Sequence, residues 1–445
     1  MVTQLQAITV PEEERRMRSR YLATAVAALF LAAACAGPGS GGSPGTSPGG
    51  GSPGTSPTGG AGGFDPAAVS GTVVLSGWKA SPEEGAALQK VLDGFATKYP
   101  NIKVDYQPSE DYDTQMLARF SSKEPPDLFY MDSSKAPEWI DQGVIQELDT
   151  WASERGFDTG QFYESYLNAF KGTDGKVYGY PKDGNTLAMA YNTDMLEKAG
   201  VKPPTTLDEL TAAAEKLTTG GVKGVCLNNG LDRAGAFIYA YGGGILSDDK
   251  KSSEFTSDKT KEAVGWYLDF FAKGWGARAK EDMGVDWCGQ ALGEKKAAII
   301  FEGGWLDPYM KSNFADTKYA WAPMPKGAEQ ATLGFTVSYS IGVDSKNKDA
   351  AWVLLTYLTG PEGMKTWTEG GVANPSRKDV PAVAGKEILV DGAAYARPWS
   401  FIPGFSKAID AFGNAMTAAI EAKSASPDDV IAKTEAAIQQ ALSGQ

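Results

Sequence analysis

From residue 70 onward the chain alternates between two hydrophobic periods. Thr72–Leu75 is a short β-rich run that ends at Ser76-Gly77-Trp78-Lys79. Ser81, Pro82, Glu83 and Glu84 then supply an N-cap, a first-turn proline and two first-turn acids. Leu88, Val91, Leu92 and Phe95 follow at helical spacing, Tyr99-Pro100-Asn101 stops the helix, and Ile102–Tyr106 reads as a strand again. Strand, helix, strand is the unit of a sheet wound with crossovers. The unit recurs with a helix over Tyr112–Ser121 and a buried-type strand over Leu128–Met131, closed by Asp132-Ser133-Ser134. A helix over Pro137–Gln142 and an aromatic-rich, irregular stretch over Leu148–Lys171 come next.

The stretch YGYPKDGNTLAMAYN, Tyr178–Asn192, stands at the centre of this pattern. Pro181 and the small polar residues after it interrupt a strand, and Leu187, Met189 and Tyr191 restart one with a period of two. By pattern alone the break is either a surface turn or a passage between two bodies.

Beyond it the predicted elements are helices over Thr193–Ala199, Leu207–Leu217 (capped by Thr206), Ala234–Tyr241 (ending on Gly242–Gly244) and Lys259–Lys273. Strands are predicted over Gly224–Leu227, Ala297–Phe301, Tyr319–Met324 and Phe335–Val343, and helices over Asp349–Leu358, Ala408–Ile420 and Pro427–Leu442. The fold class is α/β.

Composition narrows the function. The 445 residues suffice for two domains. A formal charge of −13 argues against nucleic-acid binding, and the lack of any His removes the commonest general base and metal ligand. No phosphate-binding loop, dinucleotide fingerprint, EF-hand loop or Ser–His–Asp arrangement is found, so neither a metal nor a cofactor is expected.

The N-terminus reads as an export signal over 1–34, with Arg18 and Arg20 before the apolar run Tyr21–Ala34 and with 1–16 as an extension ahead of Met17. LAAAC resembles a lipobox, which would make Cys35 the acylated first residue; the alternative is cleavage after Ala34 with release. Residues 35–69 form the anchor and tether, whose Gly/Ser/Pro-rich part, 36–63, repeats GSPGTSP and cannot bury apolar surface. Cys226 and Cys288 remain, as a disulfide of an exported protein or as two buried thiols.

Several strands end in polar or aromatic clusters: Trp78 and Lys79, Asp132, Asp183 and Asn185, Glu302 and Trp305. In open α/β sheets ligands sit outside the carboxyl ends of the strands, so these clusters are candidates to converge. Carboxylates and amides suit hydroxyl groups, and an indole face suits the apolar face of a pyranose. Trp78, Trp305 and Trp399 each lie beside Gly or Pro in a break, whereas Trp266, Trp275, Trp352 and Trp367 lie in helical patterns and read as packing.

Four stretches carry a family resemblance: PPDLFYMD at 125–132 with WIDQGVIQELD after it, GKVYGYPKDGNTLAMAYNTDMLEKAGVKPPTTLDEL at 175–210, KKAAIIFEGGWL at 295–306, and TGPEGMKTWTEGGVANPSRKD at 359–379. With them, residues 70–442 resemble the extracellular solute-binding proteins of carbohydrate ABC importers, the group that includes maltose-binding protein. The resemblance implies a periplasmic-binding-protein-like fold of class II type, two α/β lobes joined by a multi-strand hinge. The lobes would be 70–183 plus 337–375 and 184–336 plus 376–445, with a sugar in the cleft. It implies ligand contacts from Trp78, Lys79, Asp132, Asp183, Asn185, Tyr241, Gly242, Glu302, Gly303, Trp305, Arg397 and Trp399. Gly303-Gly304 stands where the family more usually has Gly-Pro. The implied partners are a sugar, a pair of permease subunits and, through Cys35, the outer face of the cell membrane; the protein is expected to be a monomer and not an enzyme. A same-fold binder of a non-sugar solute, such as a polyamine or a phosphodiester, and a secreted carbohydrate-active enzyme are the alternatives.

Overall fold

The computed structural model describes residues 63–79, 82–371 and 373–444. The export signal, Cys35 and the tether as far as residue 62 lie outside them, as does Ser81. Among the described residues no helix is long and apolar enough to cross a membrane.

The packed chain begins earlier than its composition suggests. Phe64 and Val69 lie against the core of the first sheet, and the Arg155 guanidinium sits 4.2 Å from the Phe64 ring. Phe64 and Val69, both expected within the tether, thus contact the first core.

Two sheets organise the molecule. The first runs β11 (Ala396–Pro398), β10 (Thr332–Ile341), β3 (Leu128–Asp132), β1 (Gly71–Trp78), β2 (Ile102–Ser109), with β4 (Tyr180–Thr186) also pairing β10. The β1 strand is parallel to β2 and β3, as crossover helices Pro82–Lys98 and Tyr112–Ser121 require. The second sheet runs β7 (Gly276–Ala277), β6 (Lys223–Cys226), β8 (Ala297–Glu302), β5 (Ala188–Asn192), β9 (Tyr319–Ala322). Every residue of β8 is buried, which explains its continuous apolar run AAIIFE, covered on both faces.

Each sheet has its own core. Leu75, Phe95, Phe129, Trp139 and Trp352 belong to the first, and Leu210, Phe237, Tyr267, Phe301 and Phe412 to the second. A third, smaller cluster around Cys226, Cys288, Leu292, Ile300 and Leu306 covers the other face of the second sheet. Cys226 and Cys288 are bonded to one another there.

The chain passes between the cores at the stretch Tyr178–Asn192. Strand β4 pairs antiparallel with β10 from Tyr180↔Tyr339 to Thr186↔Gly334, and β5 begins two residues later in the second sheet. Leu187 already packs in the second core, and its amide donates to the Leu333 carbonyl. The passage thus lies at Thr186–Ala188, slightly beyond the expected boundary of 183/184. β10 makes the reverse passage, from Leu333 in the second core to Tyr339 in the first. Phe162 forms a bridge with Arg377, Ser376 bonds the Pro181 carbonyl, and Ser165 bonds the Ala393 carbonyl, so both ends of 376–393 touch the first lobe, while Lys386 between them reaches Gly304 and Asp307 of the second. The chain joins the second core only from Trp399 onward.

A disulfide closing a loop of 62 residues stabilises by about 4 kcal/mol in the chain-entropy treatment. The double variant Cys226→Ala/Cys288→Ala should therefore lose about that much unfolding free energy in urea titration; an unchanged midpoint would show that the bond does not constrain the unfolded chain.

Candidate functional site

Strands β6 and β8 run parallel, and both deliver residues to one end of the second sheet. Helix Leu231–Ala240 starts just beyond β6, so its first turn faces the end of β8. There Arg233 donates from Nε to the Phe301 carbonyl at 3.1 Å and from Nη2 to Glu302 Oε2 at 2.7 Å. The Trp305 indole N–H reaches the same Glu302 oxygen at 3.0 Å. The Glu302 side chain is only 2 % exposed. Burial pushes its carboxyl pKa up, and the Arg233 guanidinium and the indole N–H pull against that rise.

Gly303 is required by this arrangement. A Cβ there would lie 2.4 Å from the Trp305 ring, so the ring folds back over the glycine backbone. The Arg233 guanidinium stands 5.7 Å from the ring centroid, and Phe335 meets the ring edge-on.

A second polar cluster sits at the corresponding end of the first sheet. The β4–β10 register shifts between Val337 and Ser338, leaving Lys182 as the extra residue of a bulge. A bulge breaks the two-face alternation of a strand, and so Lys182 and Asp183, neighbours in sequence, can bond to each other at 2.6 Å. The Trp367 indole N–H also donates to Asp183 at 3.1 Å, and the ammonium lies 4.0 Å from the Trp367 ring centroid and 5.2 Å from that of Tyr130. Trp78 meets Tyr130 and Tyr112 edge-on at the end of β1.

The two clusters meet through Asn185 and Asn374. Asn374 bridges Gly184 through the backbone and donates from Nδ2 to Asn185 Oδ1 at 2.9 Å, while Gly304 approaches both side chains. Lys386 adds a clasp beside Trp305, donating to the Gly304 carbonyl at 3.2 Å and ion-pairing Asp307.

The structure thus gathers Asn185, Glu302, Gly303 and Trp305, and reaches Asp183 and, through Tyr130, Trp78. Lys79 forms an exposed pair with Glu110 at the rim. Asp132 Oδ1 is engaged by the backbone and hydroxyl of Ser134, an Asx-turn at the end of β3. Four further residues expected at the site lie apart from these clusters. Tyr241 and Gly242 follow the last turn of helix Leu231–Ala240, about 12 Å along the axis from Arg233, where Tyr241 packs against Trp266. Arg397 pairs with Glu329 and covers Tyr239, on a different groove. Trp399 is buried behind Phe335 and Phe401 and backs the site rather than facing it.

Sequence reading missed Arg233, Asn374 and Lys386, and took Trp367 for packing alone. Arg233 carried a signal: Asn228-Asn229-Gly230 closes a strand, and a charged residue in the following helical turn has the position of the other strand-end clusters. Asn374 and Lys386 sit in an irregular segment whose placement no periodicity announces.

With this geometry in view, the chain belongs to the bacterial extracellular solute-binding protein family, whose profile matches residues 79–365. A putative binding protein of Brucella abortus (strain 2308) is 26% identical over 399 residues, 84% of this chain and 95% of that one. The galactooligosaccharide-binding protein of Bacillus subtilis (strain 168) is 26% identical over 269 residues, 58% of this chain and 60% of that one. Among solved structures, an ABC substrate-binding protein from Listeria monocytogenes in complex with cycloalternan superposes with a TM-score of 0.72 at 20% identity, covering 84% of this chain and 99% of that one. The likeness of fold is to two-lobed α/β binding proteins.

A buried ion pair is costly to break on one side only. Arg233→Met should lose about 3–5 kcal/mol of stability by leaving Glu302 buried and unpaired, whereas Arg233→Met/Glu302→Leu should recover most of the loss. Urea unfolding of the two variants checks this; equal loss in both would show that packing, not charge, sets the cost.

Proposed function

We propose that this protein captures a sugar between its two lobes and delivers it to the membrane subunits of an ABC importer. The observation that carries the reading is the Trp305–Glu302–Arg233 cluster facing Asn185 and Asn374 at the passage between the lobes. An indole ring offers dispersion contact to a pyranose face, and the surrounding amides and charges offer fixed donors and acceptors for hydroxyls. The names of the Bacillus subtilis relative and of the Listeria monocytogenes complex support a carbohydrate ligand.

Binding would favour the closed arrangement because one ligand touches groups on both lobes. Only such differential contact shifts a two-state equilibrium. The crossing strands β4/β5 and the entry of β10 are where the rotation would be absorbed, with Trp78, Lys79 and Asp132 at the first-lobe rim as further contacts. The site supports binding rather than turnover. Glycoside hydrolysis requires two carboxyl groups flanking the scissile bond, one donating a proton. Glu302 and Asp183 are instead each tied to a cation and an indole N–H. Export, lipidation at Cys35 and the 36–63 tether fit a monomer held at the outer membrane face within reach of its permease.

Calorimetric titration with mono-, di- and oligosaccharides should give saturable binding to one site with no product released. Trp305→Ala should weaken that binding by roughly tenfold or more through lost stacking, whereas Trp266→Ala should leave it nearly unchanged. Absence of heat with every sugar would sink the sugar reading, and release of shorter saccharides would make the protein an enzyme. Fatty-acid labelling that persists in Cys35→Ser would remove the anchor.

A further inference from the structure

Away from the cluster at Glu302 and Trp305, a groove of about 1210 Å³ separates the first lobe from the second. Its first-lobe wall includes Tyr163, Asn168 and Tyr178, its second-lobe wall is the turn around Lys250, and Arg397 and Ser400 line it between them. None of Asp183, Asn185, Glu302 or Trp305 reaches it.

Lys250 is the anomaly in this groove. It occupies a left-handed backbone position, φ 58°, at the tip of a turn closed by the Leu246↔Ser253 bridge, where Gly or Asn is the ordinary choice. Its side chain is half-buried in the groove wall, and among the described residues no carboxylate pairs with it. Its single hydrogen bond is a long one, 3.4 Å, to the Ser400 hydroxyl, which itself donates to the Ala169 carbonyl across the groove. Burial alone lowers the amine to about 8. Of the carboxylates lining the groove, Asp249 bonds Ser247 and the Lys251 amide and Asp174 bonds the Lys176 amide and the Tyr178 hydroxyl; Asp141, Glu164, Asp248 and Glu254 line it too, and none of the six pairs with Lys250. Arg397 lines the same space, 46 % exposed, lying over the Tyr239 ring with a 3.5 Å contact to Glu329. A cation partly withdrawn from water without a counter-charge is less favourable than a paired one, and an anion entering from solvent would supply the partner.

We propose that this groove is a second ligand site, for a small solute bearing a carboxylate or a phosphate group, with Lys250 as its ion-pairing residue and Arg397 as a second cationic contact. The anion takes hydrogen bonds from the Lys250 ammonium and the Arg397 guanidinium. Because the walls belong to different lobes, occupancy holds the lobes at one separation on this side. The site is independent of whether the cleft takes a sugar.

The test is calorimetric titration of the full-length protein with inorganic phosphate and, separately, with succinate, which distinguish the two anion chemistries. Saturable binding of at least one of them to one site is expected. It should weaken by roughly tenfold or more in Lys250→Met, return substantially in Lys250→Arg, and remain unchanged in Trp305→Ala. Arg397→Gln, at an exposed position that leaves the core intact, should weaken it in the same direction. Failure of both anions to bind overturns the proposal. So does wild-type affinity in folded Lys250→Met, or binding that disappears in Trp305→Ala but survives in Lys250→Met, which would put the anion in the cleft. Should Lys250→Met not fold, undiminished binding in Arg397→Gln together with Ser400→Ala is the overturning result.

Discussion

A chain that leaves one hydrophobic core for another must keep its backbone amides and carbonyls paired on the way, because a buried unpaired group costs as much as a lost hydrogen bond. In this protein the antiparallel pair of β4 and β10 meets that requirement. Its ladder runs from Tyr180↔Tyr339 to Thr186↔Gly334, and the Leu187 amide finds the Leu333 carbonyl at the far end. Thr332 and Thr336 add hydroxyl bonds to the Leu187 and Asp183 carbonyls. With the backbone satisfied, the side chains along the passage are free for other work. Lys182, Asp183 and Asn185 become polar groups at the meeting of the lobes, held by the bulge, by Trp367 and by Asn374 rather than by the main chain.

The two halves of the site are built on the same plan. Each has a carboxylate at the end of a sheet, a cation that neutralises it and an indole N–H that fixes its remaining geometry: Asp183 with Lys182 and Trp367, Glu302 with Arg233 and Trp305. Low exposure makes each set costly to disturb and keeps each in one conformation, since the partners leave few alternative hydrogen bonds. Their difference lies in the ring. Trp367 is covered by the Lys182 ammonium and buried, whereas Trp305 is only partly covered by Arg233 and is half-buried.

Much of the fold was legible because periodicity and turn chemistry are local. The helix after Thr206, with Asp208 and Glu209 in its first turn, stands as its cap predicts, and Ala297–Phe301 is the fully buried strand its apolar run implies. Short helices such as Cys288–Gly293, Leu306–Asn313 and Pro361–Thr368 were not legible, since one or two turns carry too few apolar positions to set a period. The polar clustering was legible at Glu302 and Trp305, which close strand β8, whereas Asp183, expected just after a strand, lies inside β4. The site was not legible where long-range contact decides. Tyr241 was read as the end of a helix and placed at the site only by the family resemblance, and that helix, ten residues long, carries it away from the strand end. Arg397 and Trp399 are two apart in sequence, yet one faces a groove and the other is packed under Phe335. Only the pairing of β11 with β10 separates them.

Gly184 limits how this architecture can be altered. A Cβ at that position would fall 2.2 Å from the Tyr166 ring, and Tyr166 is itself fully buried. The passage therefore cannot accept a side chain without displacing an aromatic residue of the interior, and neighbouring Asp183 and Asn185 are fixed with it. Anyone redesigning the protein as a sensor for another compound has little to gain by varying the strand that joins the lobes. The variable positions are those on strand-end loops, where a change of side chain does not propagate into either core.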